Sequence, residues 1–315
     1  MARLSEAEMR NYLSRSISSW NTNKLYGIIA EIDFRRRLAE LGFEDRVSPG
    51  GWILRCDGAG NFGHHTVALF PSTLRPDEDT PVVHEGTEPP RRLHTICATL
   101  HQIGIHSYYC VPVVGRDDDS TSVSWYMVQL GVPANATYQM FPFPLAGFRT
   151  RERRYAFLRY ATDLNSMRGA HVPDQFSKEH LRVTFQTHYR CEPSDIDGIL
   201  WGQQNTYPIE VKEKTVAQDR RLGEFFGLDV GPFVKLAFYA AKRGNLHSLF
   251  VVREIDDTIT RNLVGWWYIT YETLAQYASW VPLEGGRGMT GGRSSTIKIP
   301  KAEFKAMDHA NLSTL

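Results

Sequence analysis

Between Glu192 and Lys212 the chain spells out two short strands and a tight turn, and this stretch constrains the fold most. Glu192-Pro193-Ser194-Asp195-Ile196-Asp197-Gly198-Ile199-Leu200 alternates polar and apolar residues before Trp201–Thr206, where Gly202 and Asn205 suit a turn. Tyr207-Pro208-Ile209-Glu210-Val211-Lys212 resumes the alternation. Successive strand side chains point to opposite faces, so Asp195 and Asp197 share one face, and Glu210 and Lys212 share another. A hairpin between the two runs brings Asp197 near Glu210, with Lys212 beside them. Two carboxylates on a rigid sheet are hard oxygen ligands that suit Mg²⁺, and a nearby ammonium can orient water or offset phosphoryl charge.

The remaining elements read as an α/β protein. Asn23–Phe43 carries apolar residues at helical spacing (Leu25, Ile28, Ile29, Ile32, Ala39), with Gly42 as its C-cap. Strands are expected at Gly51–Cys56 and His65–Phe70, joined by a Gly/Asn-rich turn. A helix follows through Leu93, Ile96, Cys97, Leu100 and Ile103, then strands at Ser107–Val114 and Ser122–Leu130. A basic helix is expected over 150–165, and a β-rich run over Leu181–Tyr189. Beyond Lys212 come a helix near Phe233–Ala241, a strand at Ser248–Arg253, a helix near Glu272–Trp280, a glycine-rich loop and a strand at Thr296–Ile299. This order suggests one core, residues 1–70 and 179–315, interrupted by an insertion at 71–178.

With this order on the page, the chain resembles the PD-(D/E)XK nuclease superfamily, the fold class of most type II restriction endonucleases. The matching residues are Asp197, twelve intervening residues, then Glu210-Val211-Lys212, followed by the helix around Gly231–Tyr239 and the strand Leu249–Arg253. The resemblance covers roughly 20–70 and 180–255. It implies a restriction-endonuclease-like mixed central sheet flanked by helices, with a large inserted segment. It implies Asp197 and Glu210 as Mg²⁺ ligands, Lys212 as the group acting on the attacking water, and Glu31 of the first helix as a further acid. Asp195 competes with Asp197 for the ligand position and is an alternate metal ligand.

The expected activity is Mg²⁺-dependent hydrolysis of double-stranded DNA by a sequence-specific endonuclease, a homodimer because a two-fold protein matches a palindromic site. The alternatives are a structure-specific repair or recombination nuclease and a non-catalytic DNA-binding module. Net charge is only +1 over 315 residues, so any DNA-binding surface has to be local. The arginine candidates are Arg151, Arg153 and Arg154, then Arg220 and Arg221, then Arg287 and Arg293 of the glycine-rich C-terminal loop. The insertion is the expected region for recognition and dimerisation. No trailing Gly-Lys-Ser/Thr follows the glycines, so no nucleotide cofactor is expected. His64-His65 and the Cys97/His101 pair lack the further ligands a zinc site needs. Four scattered cysteines, no apolar leader and no apolar run of about 18 residues suggest a cytoplasmic protein outside the membrane.

Overall fold

The computed structural model describes residues 2–16, 22–56, 65–79, 88–117, 119–131, 137–141, 143–157, 164–165, 167, 169–242, 244–287 and 293–315. The Gly/Asn-rich turn, His64 and most of the glycine-rich C-terminal loop lie outside them. The protein is mixed α/β and divides into two compact units, 1–20 with 49–196 and 21–48 with 197–315. This division differs from the expected one. The strands at 51–56 and 66–71 hydrogen-bond within the same sheet as the strands at 106–114 and 123–130, so they go with the segment read as an insertion.

In the first unit, α1 (Glu6–Ser16), β1 (Gly51–Cys56), β2 (Thr66–Pro71), α3 (Arg91–Gln102), β3 (His106–Val114), β4 (Val123–Leu130), β5 (Gln139–Met140), α4 (Val172–His188) and β6 (Cys191–Ile196) follow in order. The strands form a six-stranded sheet, β5-β4-β3-β2-β1-β6. Only β2 and β3 are parallel, and α3 makes the crossover that parallel neighbours require. As the spacing predicts, α3 buries Leu93, Ile96, Cys97 and Leu100.

Two expectations in this unit are corrected. Leu181–Tyr189 reads as strand from its Val, Thr, Phe and Tyr content, yet all but the last residue belong to α4. Pro173 near the helix start and Asp174 in the first turn favour that end. Burial of Phe176, Leu181 and Phe185 along the helix then overrides local β-propensity. The basic segment expected to be helical at 150–165 has no helix within its described residues, 150–157 and 164–165. The Arg151 and Tyr155 amides donate to the His188 and Thr187 carbonyls. The Arg151 Nε donates to the carbonyls of Gln186 and Tyr189, 3.0 and 3.1 Å away. A guanidinium on the open carbonyls of a helix C-terminus is a favourable cap, and it ties this segment to the end of α4.

The second unit begins with α2 (Thr22–Glu40). Gly42, at φ +77°, ends it: its amide bonds to Ala39 and the Phe43 amide to Leu38, the paired pattern in which glycine avoids a Cβ penalty. The helix buries Ala30, Phe34 and Leu38, while Ala39 is exposed. Then come β7 (Gly198–Trp201), β8 (Thr206–Lys214), β9 (Ala217–Asp219), β10 (Gly223–Asp229), α5 (Val230–Ala240), β11 (Leu249–Ile255), β12 (Leu263–Thr270), α6 (Tyr271–Tyr277), β13 (Leu283–Arg287), β14 (Arg293–Pro300), β15 (Lys305–Ala306) and α7 (His309–Ser313). One sheet runs β15-β12-β11-β8-β7, and a second, wholly antiparallel one runs β13-β14-β10-β9.

Strands β8 and β11 are parallel and lie inside the five-stranded sheet. Ile209, Val211, Leu249 and Val251 pack with Ala30, Phe34 and Leu38 of α2. The alternate residues Phe250 and Val252 pack with Phe226, Leu236 and Leu274. Period-two alternation therefore buries both faces of β11. Among the described residues no helix is long and apolar enough to cross a membrane.

Candidate active site

The β7–β8 hairpin forms in the expected register, with Gly198 opposite Ile209 and Trp201 opposite Thr206. Gly202 opens the turn, where a Cβ would stand 2.3 Å from the Leu315 carbonyl oxygen, so only glycine fits. The expected single strand through Asp195–Leu200 is divided. Cys191–Ile196 pairs with β1, and pairing with β8 starts at Gly198. Asp197 is the residue between, and extending the register by one step sets it opposite Glu210.

Asp197 is buried, and its Oδ2 accepts the Val211 amide at 2.7 Å. That bond holds the carboxylate against the strand that carries Glu210 and Lys212. Glu31, from α2, offers an oxygen within 4.8 Å of one on Asp197. Both belong to the second unit, whereas Asp195 lies on β6 of the first.

Glu210 stands outside that group. Its side chain is 2% exposed, with Lys212 Nζ 2.6 Å from Oε1 and Lys235 ion-paired to Oε2. Lys212 is 35% exposed and Lys235 only 13%. The sequence reading assigned Lys235 no role. The available signal was that it is the only charged residue of α5, a helix otherwise composed of apolar residues and glycine. Lys214 follows on the same strand alternation, and burial lowers its ammonium pKa despite nearby Asp229.

A network in the same unit fixes the helix that bears Glu31. Arg253 on β11 places Nη1 2.7 Å from Glu213 Oε2 and Nε 3.3 Å from Asp33 Oδ2. Arg261 also pairs with Glu213 and lies over the Tyr26 ring. Strand β8, strand β11 and α2 are thus tied by charge directly beside the candidate site. Burial raises the Glu213 pKa, and Arg261 and Arg253 oppose that rise.

No protein-family model, characterised protein or solved structure matches this chain.

The arginines predicted to meet DNA are not equivalent. Arg151 caps α4 through its Nε, and Arg153 and Arg154 are exposed. Arg220 and Arg221 are exposed at the β9–β10 turn, where Asp219 accepts the Arg221 and Leu222 amides. The backbones of Arg287 and Arg293 face each other across β13 and β14, and their side chains lie outside the described residues. A cleft of about 570 Å³, lined by Arg36, Arg37, Arg253, Trp266 and Met307 among others, contains none of the candidate catalytic residues.

Proposed function

We propose that this protein is a Mg²⁺-dependent endodeoxyribonuclease with a restriction-endonuclease-like core, cutting double-stranded DNA at a specific sequence as a homodimer. The observation that carries the reading lies within the second unit. Asp197, held on the Val211 amide, has an oxygen within 4.8 Å of one on Glu31, beside the strand that presents Glu210 and Lys212. The order β7, β8, β9, β10, α5, β11, with β8 and β11 parallel, supports it further.

The donor set fits the metal. Glu31 and Asp197 supply only carboxylate oxygens, the ligands Mg²⁺ takes alongside water. When bound, Mg²⁺ supplies Lewis-acid stabilisation of phosphoryl charge and makes water more acidic. Lys212, the most exposed member of the Glu210 ion-pair cluster, orients the attacking water and offsets charge on the phosphorus oxygens. Glu210 anchors that ammonium. Arg153, Arg154, Arg220 and Arg221 are exposed and suit phosphate contacts, which position DNA without reading it.

Purified protein incubated with plasmid and phage DNA, with Mg²⁺ or with EDTA, beside Lys212→Ala, tests the reading. Discrete Mg²⁺-dependent fragments, absent for the variant, are expected. Cleavage confined to flaps or junctions would replace sequence specificity with structure specificity. Intact DNA of every form, with Mg²⁺ present, would overturn the reading.

A further inference from the structure

Cys56 ends β1 and Cys191 opens β6, and the antiparallel register sets them directly opposite each other. The Cys56 amide donates to the His65 carbonyl, 3.0 Å away, on the β2 side of the strand. A strand residue's N–H and C=O point the same way, so the Cys56 backbone faces away from β6. The two cysteines are therefore a non-hydrogen-bonded pair, the kind with Cα atoms about 4.5 Å apart and the closest side chains. Pro193, opposite Leu54, occupies the same kind of position on this edge strand, where a missing N–H breaks no ladder bond. A separation of about 4.5 Å falls inside the roughly 4.4–6.8 Å that disulfides span.

We infer that Cys56 and Cys191 are a redox-sensitive dithiol site, which a small-molecule disulfide converts into a cross-strand disulfide. The Cys191 thiolate attacks one sulfur of the reagent, forming a mixed disulfide and releasing one small thiol. The Cys56 thiolate then attacks the Cys191 sulfur, closing the cross-link and releasing the second small thiol. Two electrons pass from the cysteines to the reagent, and the two protons leave with the small thiols. Cys191 is the entry point, at the start of an edge strand and 8% exposed against 1% for Cys56.

The other two thiols, Cys97 on α3 and Cys110 on β3, lie outside the β1–β6 register. Cys97 and Cys110 are fully buried, and burial pushes Cys97 up to about 12 and Cys110 higher. Both stay protonated and inert toward exchange. The site is independent of the nuclease reading, although the cross-link would pin the start of the strand that carries Asp195.

The test treats the full chain with oxidised glutathione, alkylates remaining thiols in denaturant and maps the peptides by mass. A linked Cys56–Cys191 peptide is expected, with Cys97 and Cys110 alkylated. Cys97→Ser should retain the link, and Cys191→Ser or Cys56→Ser should lose it. Alkylation of all four cysteines, a stable glutathione adduct on Cys191 alone, or a Cys97–Cys110 link would each overturn the inference. The wild-type peptide map decides the question even if a serine variant fails to fold.

Discussion

The Lys235 ammonium, carried by α5, is ion-paired to Glu210 on β8, a carboxylate only 2% exposed. The helix is thus bound to the candidate catalytic strand through a charge that would be costly to leave alone. Removing one partner of a buried pair typically costs about 3–5 kcal/mol. Lys212 remains on the other oxygen, so Lys235→Met should cost less, about 2–3 kcal/mol by urea denaturation. Adding Glu210→Gln should recover much of that loss. Equal stability of wild type and the single variant would show that the pair carries no weight.

Asp197 has two separable roles, as acceptor for the Val211 amide and as one of the clustered acids. Asp197→Asn keeps an acceptor oxygen and removes the charge. Its unfolding midpoint should stay near that of wild type, while Ca²⁺ or Mg²⁺ affinity by calorimetry falls at least tenfold. Asp197→Ala strands a buried amide and should cost about 1–3 kcal/mol in addition. Unchanged cation affinity in the asparagine variant would remove Asp197 from the ligand set.

A cation held by Glu31 and Asp197 stabilises the folded state by mass action, about 2.7 kcal/mol at one hundred times its Kd. Thermal unfolding should therefore shift upward with millimolar Mg²⁺. Glu31→Gln should lose most of the shift. An equal shift in that variant would place the cation elsewhere.

His180 gives the first unit a pH dependence. Its ring is buried, with Nδ1 3.1 Å from the donating Trp125 Nε1 and Nε2 3.0 Å from the Ser120 carbonyl. Burial lowers its pKa from 6.5 to about 4, with the Ser120 carbonyl opposing. The unfolded chain therefore takes up the proton first as pH falls. Stability should be full above about pH 6.5 and decline toward pH 4, by up to about 3 kcal/mol. Urea denaturation at pH 7.5 and pH 5 should show the decline in wild type and a flatter profile in His180→Gln. Equal slopes would assign the loss to other groups.

Much of this protein was legible from residue order alone. Helix α2 with Gly42 as its cap, α3, the strands from β1 to β4, the β7–β8 hairpin and the helix after Lys212 follow from local rules. Hydrophobic period, turn chemistry and the conformational freedom of glycine act over a few residues, so a linear reading captures them. The same alternation put Glu210 and Lys212 on one strand face.

The rest depended on contacts between residues distant in the chain. Leu181–Tyr189 has the composition of a strand, but the apolar surroundings of Phe176, Leu181 and Phe185 reward a helix. Arg151, expected to contact DNA, also caps α4 through its Nε, because carbonyls at the helix end lie within its reach. Strands β1 and β2 joined the first unit through pairing partners, which strand propensity does not name. The two lysines on Glu210, and the opposition of Cys56 to Cys191, are likewise set by packing and register. Sequence determined which segments could be helix or strand and which chemical groups lay on one face. Tertiary structure decided which faces met, because burial and hydrogen-bond satisfaction are summed over the whole fold.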